Sequence, residues 1–101
     1  MSNEMTLRER ILLRLADVID PETGVNVLRM RLVEDLEADE ATGRVSYLFR
    51  PSSPLCPIAH SLGLDIKRAI ASVDGVTEQV IRVAGYIRPD ELAELLNRAE
   101  V

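Results

Sequence analysis

Cys56 and His60 are the only cysteine and histidine of the chain, four residues apart in Cys56-Pro57-Ile58-Ala59-His60. A thiolate is a nucleophile and a soft metal ligand. On a helix, residues four apart lie one turn from each other on the same side. Cys-x-x-x-His is therefore half of a metal site or a thiol–base pair. The plain alternatives are a buried cysteine acting as a small hydrophobe and a histidine facing solvent. Asp20 and Glu22, in Asp20-Pro21-Glu22-Thr23-Gly24, are the carboxylates that only the fold can bring to Cys56. There they would offer hard oxygen ligands. Their plain reading is turn chemistry and solvated charge. One cysteine allows no internal disulfide, and no all-cysteine metal site within one subunit. The sequence contains no Gly-rich phosphate loop, no Gly-x-Ser-x-Gly and no carboxylate pair at catalytic spacing. An enzyme would have to rest on Cys56 and His60 alone.

The rest of the composition narrows the function classes. The 101 residues make one domain the natural count, over 1–101, with 47% apolar and 29% charged residues, an ordinary globular balance. Seventeen acids against twelve bases give a charge of −5, the wrong sign for a phosphate-binding surface. Tyr47, Phe49 and Tyr86 are the only aromatics, which argues against stacking platforms for single-stranded nucleic acid. Arg8, Arg10, Arg14, Arg29 and Arg31 give the first third a basic bias, read as a solvated face or a contact for an anionic partner protein. No apolar run approaches the roughly 20 residues of a membrane span. Met1–Arg10 lacks a leader's apolar core. The expected compartment is the cytoplasm, with no membrane and no nucleic-acid partner.

The elements that must position these residues follow from pattern. Thr6 and Glu9 form a capping box, and Leu7, Ile11, Leu15 and Ile19 repeat every four residues, so a helix is expected over about 6–19, stopped by Pro21. A strand is expected over about 31–39, with Leu32, Leu36 and Ala38 on one face. Glu40-Ala41-Thr42-Gly43 reads as a hairpin connection. Val45, Tyr47 and Phe49 alternate with Ser46, Leu48 and Arg50, giving an antiparallel second strand. Three prolines between Pro51 and Pro57 forbid regular structure there. A second helix over about 57–72 carries Ile58, Leu62, Ile66 and Ile70, with Pro57 at its first position and Cys56 as its N-cap. Val76–Val83 is a third strand, parallel to the second through a right-handed crossover. Pro89-Asp90-Glu91 opens a short third helix bearing Leu92, Leu95, Leu96 and Ala99. The expected fold class is α+β: a two-layer sandwich with a mixed three-stranded sheet, the first two helices on one face, and a short C-terminal helix.

This placement gives the chemistry a geometry. At a helix N-terminus near the surface, Cys56 would meet free backbone amides and the positive end of the helix dipole, both favouring the thiolate. In a hairpin, the start of the first strand lies beside the end of the second. The Asp20–Asn26 loop and Ser52–Cys56 should then meet at one end of the sheet, with Asp20 and Glu22 as a carboxylate rim around the sulfur.

The order Asp20-Pro21-Glu22…Asn26, hairpin, Cys56-Pro57 at a helix start, Val73-Asp74-Gly75-Val76 resembles the small iron–sulfur assembly domain of SufT and PaaD proteins, over about residues 7–83. The resemblance implies a role in maturing or transferring iron–sulfur clusters, and carrier or scaffold proteins and client apoproteins as partners. By position, Cys56 matches the family's cysteine, and Asp20, Pro21, Glu22 and Asn26 match its loop. Three places depart from the family pattern: Met30-Arg31-Leu32-Val33, Ser52 and Ser53 with Leu55 before Cys-Pro, and Tyr86-Ile87-Arg88-Pro89 in place of a Pro-Trp tail.

The resulting expectation is a cytoplasmic accessory factor, not an enzyme, working through the single thiolate of Cys56 on a transiently held cluster. Metal-ligand candidates are Cys56, Asp20, Glu22 and His60. One thiol per chain cannot fill four cluster positions, so a homodimer, a partner's cysteines or small thiols would supply the others. The alternative is a protein-interaction module for assembling a multicomponent enzyme, with Cys56 structural. A third reading is a thiol enzyme built on Cys56 and His60.

Overall fold

A computed structural model describes residues 5–100. The first four residues, which bear on the leader reading, lie outside them. The elements run α1 (Leu7–Leu15), β1 (Val33–Ala38), β2 (Arg44–Phe49), α2 (Ala59–Ala71), β3 (Glu78–Val83) and α3 (Pro89–Arg98). The sheet order is β1-β2-β3, with β1 antiparallel and β3 parallel to β2. Val45, Tyr47 and Phe49 of β2 are buried, whereas Ser46 and Leu48 are only half-buried. The first set belongs to one cluster with Ile11 and Leu15 of α1, Leu62, Ile66 and Ile70 of α2, and Leu92 and Leu96 of α3. All three helices therefore cover the same sheet face, which is the expected α+β sandwich with its mixed sheet.

Local chemistry explains the elements. The Thr6–Glu9 box is present: Glu9 N donates to Thr6 Oγ1 at 3.1 Å and Thr6 N to Glu9 Oε1 at 2.8 Å. Asp39 organises the hairpin, its Oδ1 accepting from the amides of Ala41 and Thr42. Gly43 follows at φ 81°, where a Cβ would run into the Gly75 carbonyl.

Four expectations need correction. First, α1 ends at Leu15 rather than near 19. The amides of Asp20 and Val27 bond instead to Val25 O and Val18 O, and Ile19 bridges Asn26. This small tertiary pairing takes backbone groups that a longer helix would need, and Ile19 emerges 47% exposed instead of extending the stripe. Second, β1 contains a bulge. Two residues, Asp35 and Leu36, lie between Glu34 and Glu37 where one, Tyr47, lies between Ser46 and Leu48, and Asp35 adopts φ 53°. The bulge puts Val33 and Leu36 both in the core, while Leu32 is buried ahead of the strand. Third, α2 begins at Ala59, with Ile58 as N-cap, not at Pro57 with Cys56 as N-cap. Fourth, Leu95 of α3 points outward.

Candidate functional site

The loop after β2 and the segment before β1 share one end of the sheet. Val33 pairs with Phe49. One residue further out, Arg50 N donates to Leu32 O at 2.7 Å, and Leu32 N donates to Val27 O at 3.0 Å. These bonds connect the Asp20–Asn26 loop to the strand end from which Ser52–Cys56 departs. The expected convergence of the two segments holds at the level of the elements.

Within that end, Cys56 is 2% exposed and belongs to the core cluster. Two turns hold it: Cys56 N donates to Ser53 O at 3.2 Å, and Ala59 N to Cys56 O at 3.3 Å. Its Sγ receives the Ser52 hydroxyl at 3.9 Å. The expectation of a near-surface thiol capping the helix is overturned, because Pro57 and Ile58 form a turn before the first helical residue. The helix therefore starts beyond Cys56, and the turn folds the thiol inward. Leu55, beside it, is 70% exposed.

Asp20 is 1% exposed. Its Oδ1 accepts from Glu22 N at 2.8 Å, an Asx turn, and its backbone carbonyl accepts from Gly24 N at 2.8 Å. The turn chemistry expected of Asp20 is present, but the side chain is buried rather than solvated. Oδ2 is buried with no hydrogen-bond partner among the described residues. A buried carboxylate oxygen in that state lacks a donor or a cation. Glu22 is exposed, and Asn26 caps the next turn through Oδ1 accepting from Arg29 N at 2.8 Å.

His60 stands apart from the sulfur. It is exposed on the first turn of α2 and lines a pocket of about 150 Å³ with Tyr86, Arg88, Glu91, Leu92 and Leu95. The thiol's polar neighbour is Ser52, not His60, so the thiol–base pair is not formed. Among the described residues no three His, Cys, Asp or Glu side chains are placed to hold a metal ion. Cys56, Asp20, Glu22 and His60 accordingly do not form a metal centre within one subunit. The carboxylate rim is not assembled either: Asp20 turns into its own loop, and Glu22 faces solvent.

Two contributors, Ser52 and Ile87, carry no motif in the sequence. Ser52 stands four residues before Cys56, a spacing read only as loop. Ile87, 62% exposed, is tied to this loop by its amide, which donates to Pro54 O at 2.9 Å. With Leu55 it places two exposed aliphatic side chains on loops joined beside the buried thiol. An apolar residue between Pro54 and Cys56 in a proline-rich loop was the available signal.

The chain is similar to several known proteins. The chain is 31% identical over 80 residues to the Fe-S protein maturation auxiliary factor YitW of Bacillus subtilis, covering 79% of this chain and 78% of that protein. It is 29% identical over 89 residues to the chloroplastic Fe-S cluster assembly factor HCF101 of Oryza sativa, covering 87% of this chain but 17% of that longer protein. The solved structure of a DUF59 domain from Bacillus anthracis superposes with a TM-score of 0.69 at 27% identity, over 88% of this chain and 89% of that one. No helix among the described residues is long and apolar enough to cross a membrane. The model of the iron–sulfur cluster assembly protein family matches residues 8–81, most of the stretch on which the resemblance was read, and the chain belongs to that family.

Proposed function

We propose that this protein is a non-enzymatic accessory factor that helps pass iron–sulfur clusters from a carrier or scaffold to client apoproteins in the cytoplasm, with Cys56 as its one sulfur ligand. The cluster is cargo. One thiol per chain leaves the remaining cluster positions to a partner's thiols or to a second subunit. The observation that carries the reading is the presence, in two segments that meet at one end of the sheet, of the only thiol and of a buried carboxylate oxygen without a hydrogen-bond partner among the described residues. The loop bond between Ile87 and Pro54 is the contact a docking carrier would disturb, which would uncover the thiol. The test is anaerobic incubation with a cluster-loaded carrier, followed by separation and absorption spectroscopy. Wild type should retain cluster absorbance that Cys56→Ser loses. Equal retention by the variant would remove Cys56 from the role.

A second reading is favoured by the burial of Cys56 and by the exposed Leu55 and Ile87: a docking module for assembling a multicomponent enzyme, with the thiol structural. It predicts that Leu55→Asp abolishes partner binding while Cys56→Ser leaves it intact.

A further inference from the structure

Among the described residues, six have a backbone of positive φ. Four are glycines: Gly24, Gly43, Gly75 and Gly85. Asp35, at φ 53°, belongs to the β1 bulge, and aspartate is one of the residues that visit this region through local hydrogen bonds. The sixth is Arg31, at φ 60°. A Cβ in this conformation crowds the following carbonyl oxygen, and arginine lacks the short polar group that compensates aspartate. Glycine would adopt the same backbone freely. The chain therefore carries a long cationic side chain here at a conformational cost, and such outliers cluster at functional positions.

The turn that presents Arg31 is fixed. Four successive amides bond backwards inside it: Arg29 N to Asn26 Oδ1 at 2.8 Å, Met30 N to Asn26 O at 3.2 Å, Arg31 N to Leu28 O at 3.0 Å and Leu32 N to Val27 O at 3.0 Å. Val27 and Leu32 are buried, while Arg29 and Arg31 are exposed. Neither arginine makes an ion pair among the described residues, whereas Arg44, Arg50, Arg68, Arg88 and Arg98 each make one. No acid occurs from Thr23 to Val33. Of the flanking acids, Glu22 is exposed and Glu34 is held by Arg50 at 2.8 Å. On a chain of net charge −5 the turn is a local cationic point. It also stands at the thiol end: Leu32, next to Arg31, accepts the Arg50 amide, and Arg50 opens the loop that leads to Cys56.

We propose that Arg31, with Arg29, is the contact for an acidic segment of the protein that docks at the thiol end. Which protein arrives rests on the carrier reading above; the contact itself needs neither a cluster nor Cys56. A guanidinium binds a carboxylate through two parallel N–H···O bonds, and a turn already fixed by its own amides lowers the ordering cost of binding. The excess of acids elsewhere on the chain adds orientation, because an acidic segment is repelled from wrong approaches. A nucleic acid fits less well. Tyr47 and Phe49 are buried, which leaves Tyr86 as the one aromatic with any exposure, and two arginines cannot offset a net charge of −5.

The test is a titration of the full, isotope-labelled chain with an N-acetylated hexaglutamate peptide at low salt, read by amide chemical shifts. The shifts should centre on Arg29–Leu32, exceed those at Arg14 and Arg82, which also lack ion pairs among the described residues, and fade as salt is added. Arg31→Gln keeps the strained backbone and loses the charge, so it should bind roughly two- to fivefold more weakly. Arg31→Gly should bind as weakly as Arg31→Gln, yet unfold at a higher denaturant concentration than wild type. Cys56→Ser should bind like wild type, so failure of the cluster reading would leave these results unmoved. Equal shifts at Arg14 or Arg82, or full binding by both Arg31 variants, would overturn the contact. Arg31→Gly without a gain in stability would remove the conformational cost and overturn the inference drawn from it. A hexauridylate RNA that shifts the same amides at lower concentration than the peptide would overturn the acidic-protein assignment.

Discussion

The Arg50 amide donates to the Leu32 carbonyl at 2.7 Å, one step beyond the pairing of Val33 with Phe49. This bond extends the hairpin past its last strand residue. It connects two loops that the sequence separates: Asp20–Asn26 with its buried carboxylate, and Ser52–Cys56 with its buried thiol. Arg50 in turn holds Glu34 through Nε to Oε1 at 2.8 Å. Both side chains are more than a third exposed, so the ion pair itself contributes little, and the backbone bond is what registers the two loops.

Asp20 separates the structural from the functional role of this end. Asp20→Asn keeps an oxygen for the Glu22 amide and replaces a buried carboxyl oxygen that has no hydrogen-bond partner among the described residues. Denaturant unfolding should show it within about 1 kcal/mol of wild type. Asp20→Ala also loses the turn bond and should cost about 1–2 kcal/mol. A large loss in Asp20→Asn would mean that the carboxyl group is needed for folding itself.

Cys56 should react slowly. At 2% exposure an alkylating reagent reaches it only when the loop opens, so the native rate should be about a hundredfold or more below that of the unfolded chain. Addition of a docking carrier should accelerate it. Native alkylation as fast as in denaturant would contradict the burial.

Tyr47 gives the stability curve an alkaline limb. Its ring is buried at 1% exposure, its hydroxyl donates to Gln79 Oε1 at 2.9 Å, and burial pushes its pKa well above the usual 10. The unfolded chain ionises first. The stabilisation is therefore complete below about pH 10 and is lost as pH rises from there toward the folded value, at up to about 1.4 kcal/mol per pH unit. Lys67, whose pKa burial lowers, acts in the opposite sense: stability rises with pH between its lowered value and the usual one. The difference between wild type and Tyr47→Phe cancels that contribution. Tyr47→Phe should be about 1 kcal/mol less stable at neutral pH, with the gap closing and reversing above about pH 10. A gap independent of pH would refute the assignment.

Gly63 should not tolerate a side chain. Alanine is intrinsically the better helix former by about 1 kcal/mol. Its Cβ would nevertheless press on Leu96 at 2.8 Å and on Phe49 at 3.2 Å. The expected result for Gly63→Ala is a net loss of about 1–2 kcal/mol, with faster amide exchange in α3 than in α1. A stabilised variant would show that the notch has slack.

Where sequence and structure agree, one local signal dominates. The Thr6–Glu9 box, the alternation of Val45, Tyr47 and Phe49, and the Pro89 start of α3 each depend on adjacent residues. Where they part, a non-local contact decides. The Ile19–Asn26 bridge ends α1 early, and the extra residue in β1 changes which positions face the core. Legibility of the site is divided in the same way. The Asp-Pro-Glu loop and Cys-Pro are visible as motifs, and hairpin logic places them at one end. The burial of Asp20 and Cys56 is not visible, because each depends on how a turn folds back on the core. The close packing of Leu96 of α3 on α2 had one available signal, a glycine at 63 beside the apolar helix stripe, whose helix cost calls for a packing partner.

The central claim is that Cys56 hands on clusters. Its most direct measurement is the anaerobic rate of cluster transfer from a loaded carrier to an apo-client, with wild type, Cys56→Ser and Asp20→Asn compared at equal concentration. The account predicts acceleration by wild type, none by Cys56→Ser, and a reduced effect for Asp20→Asn with its fold intact. Full acceleration by Cys56→Ser would contradict it and leave the docking role in its place.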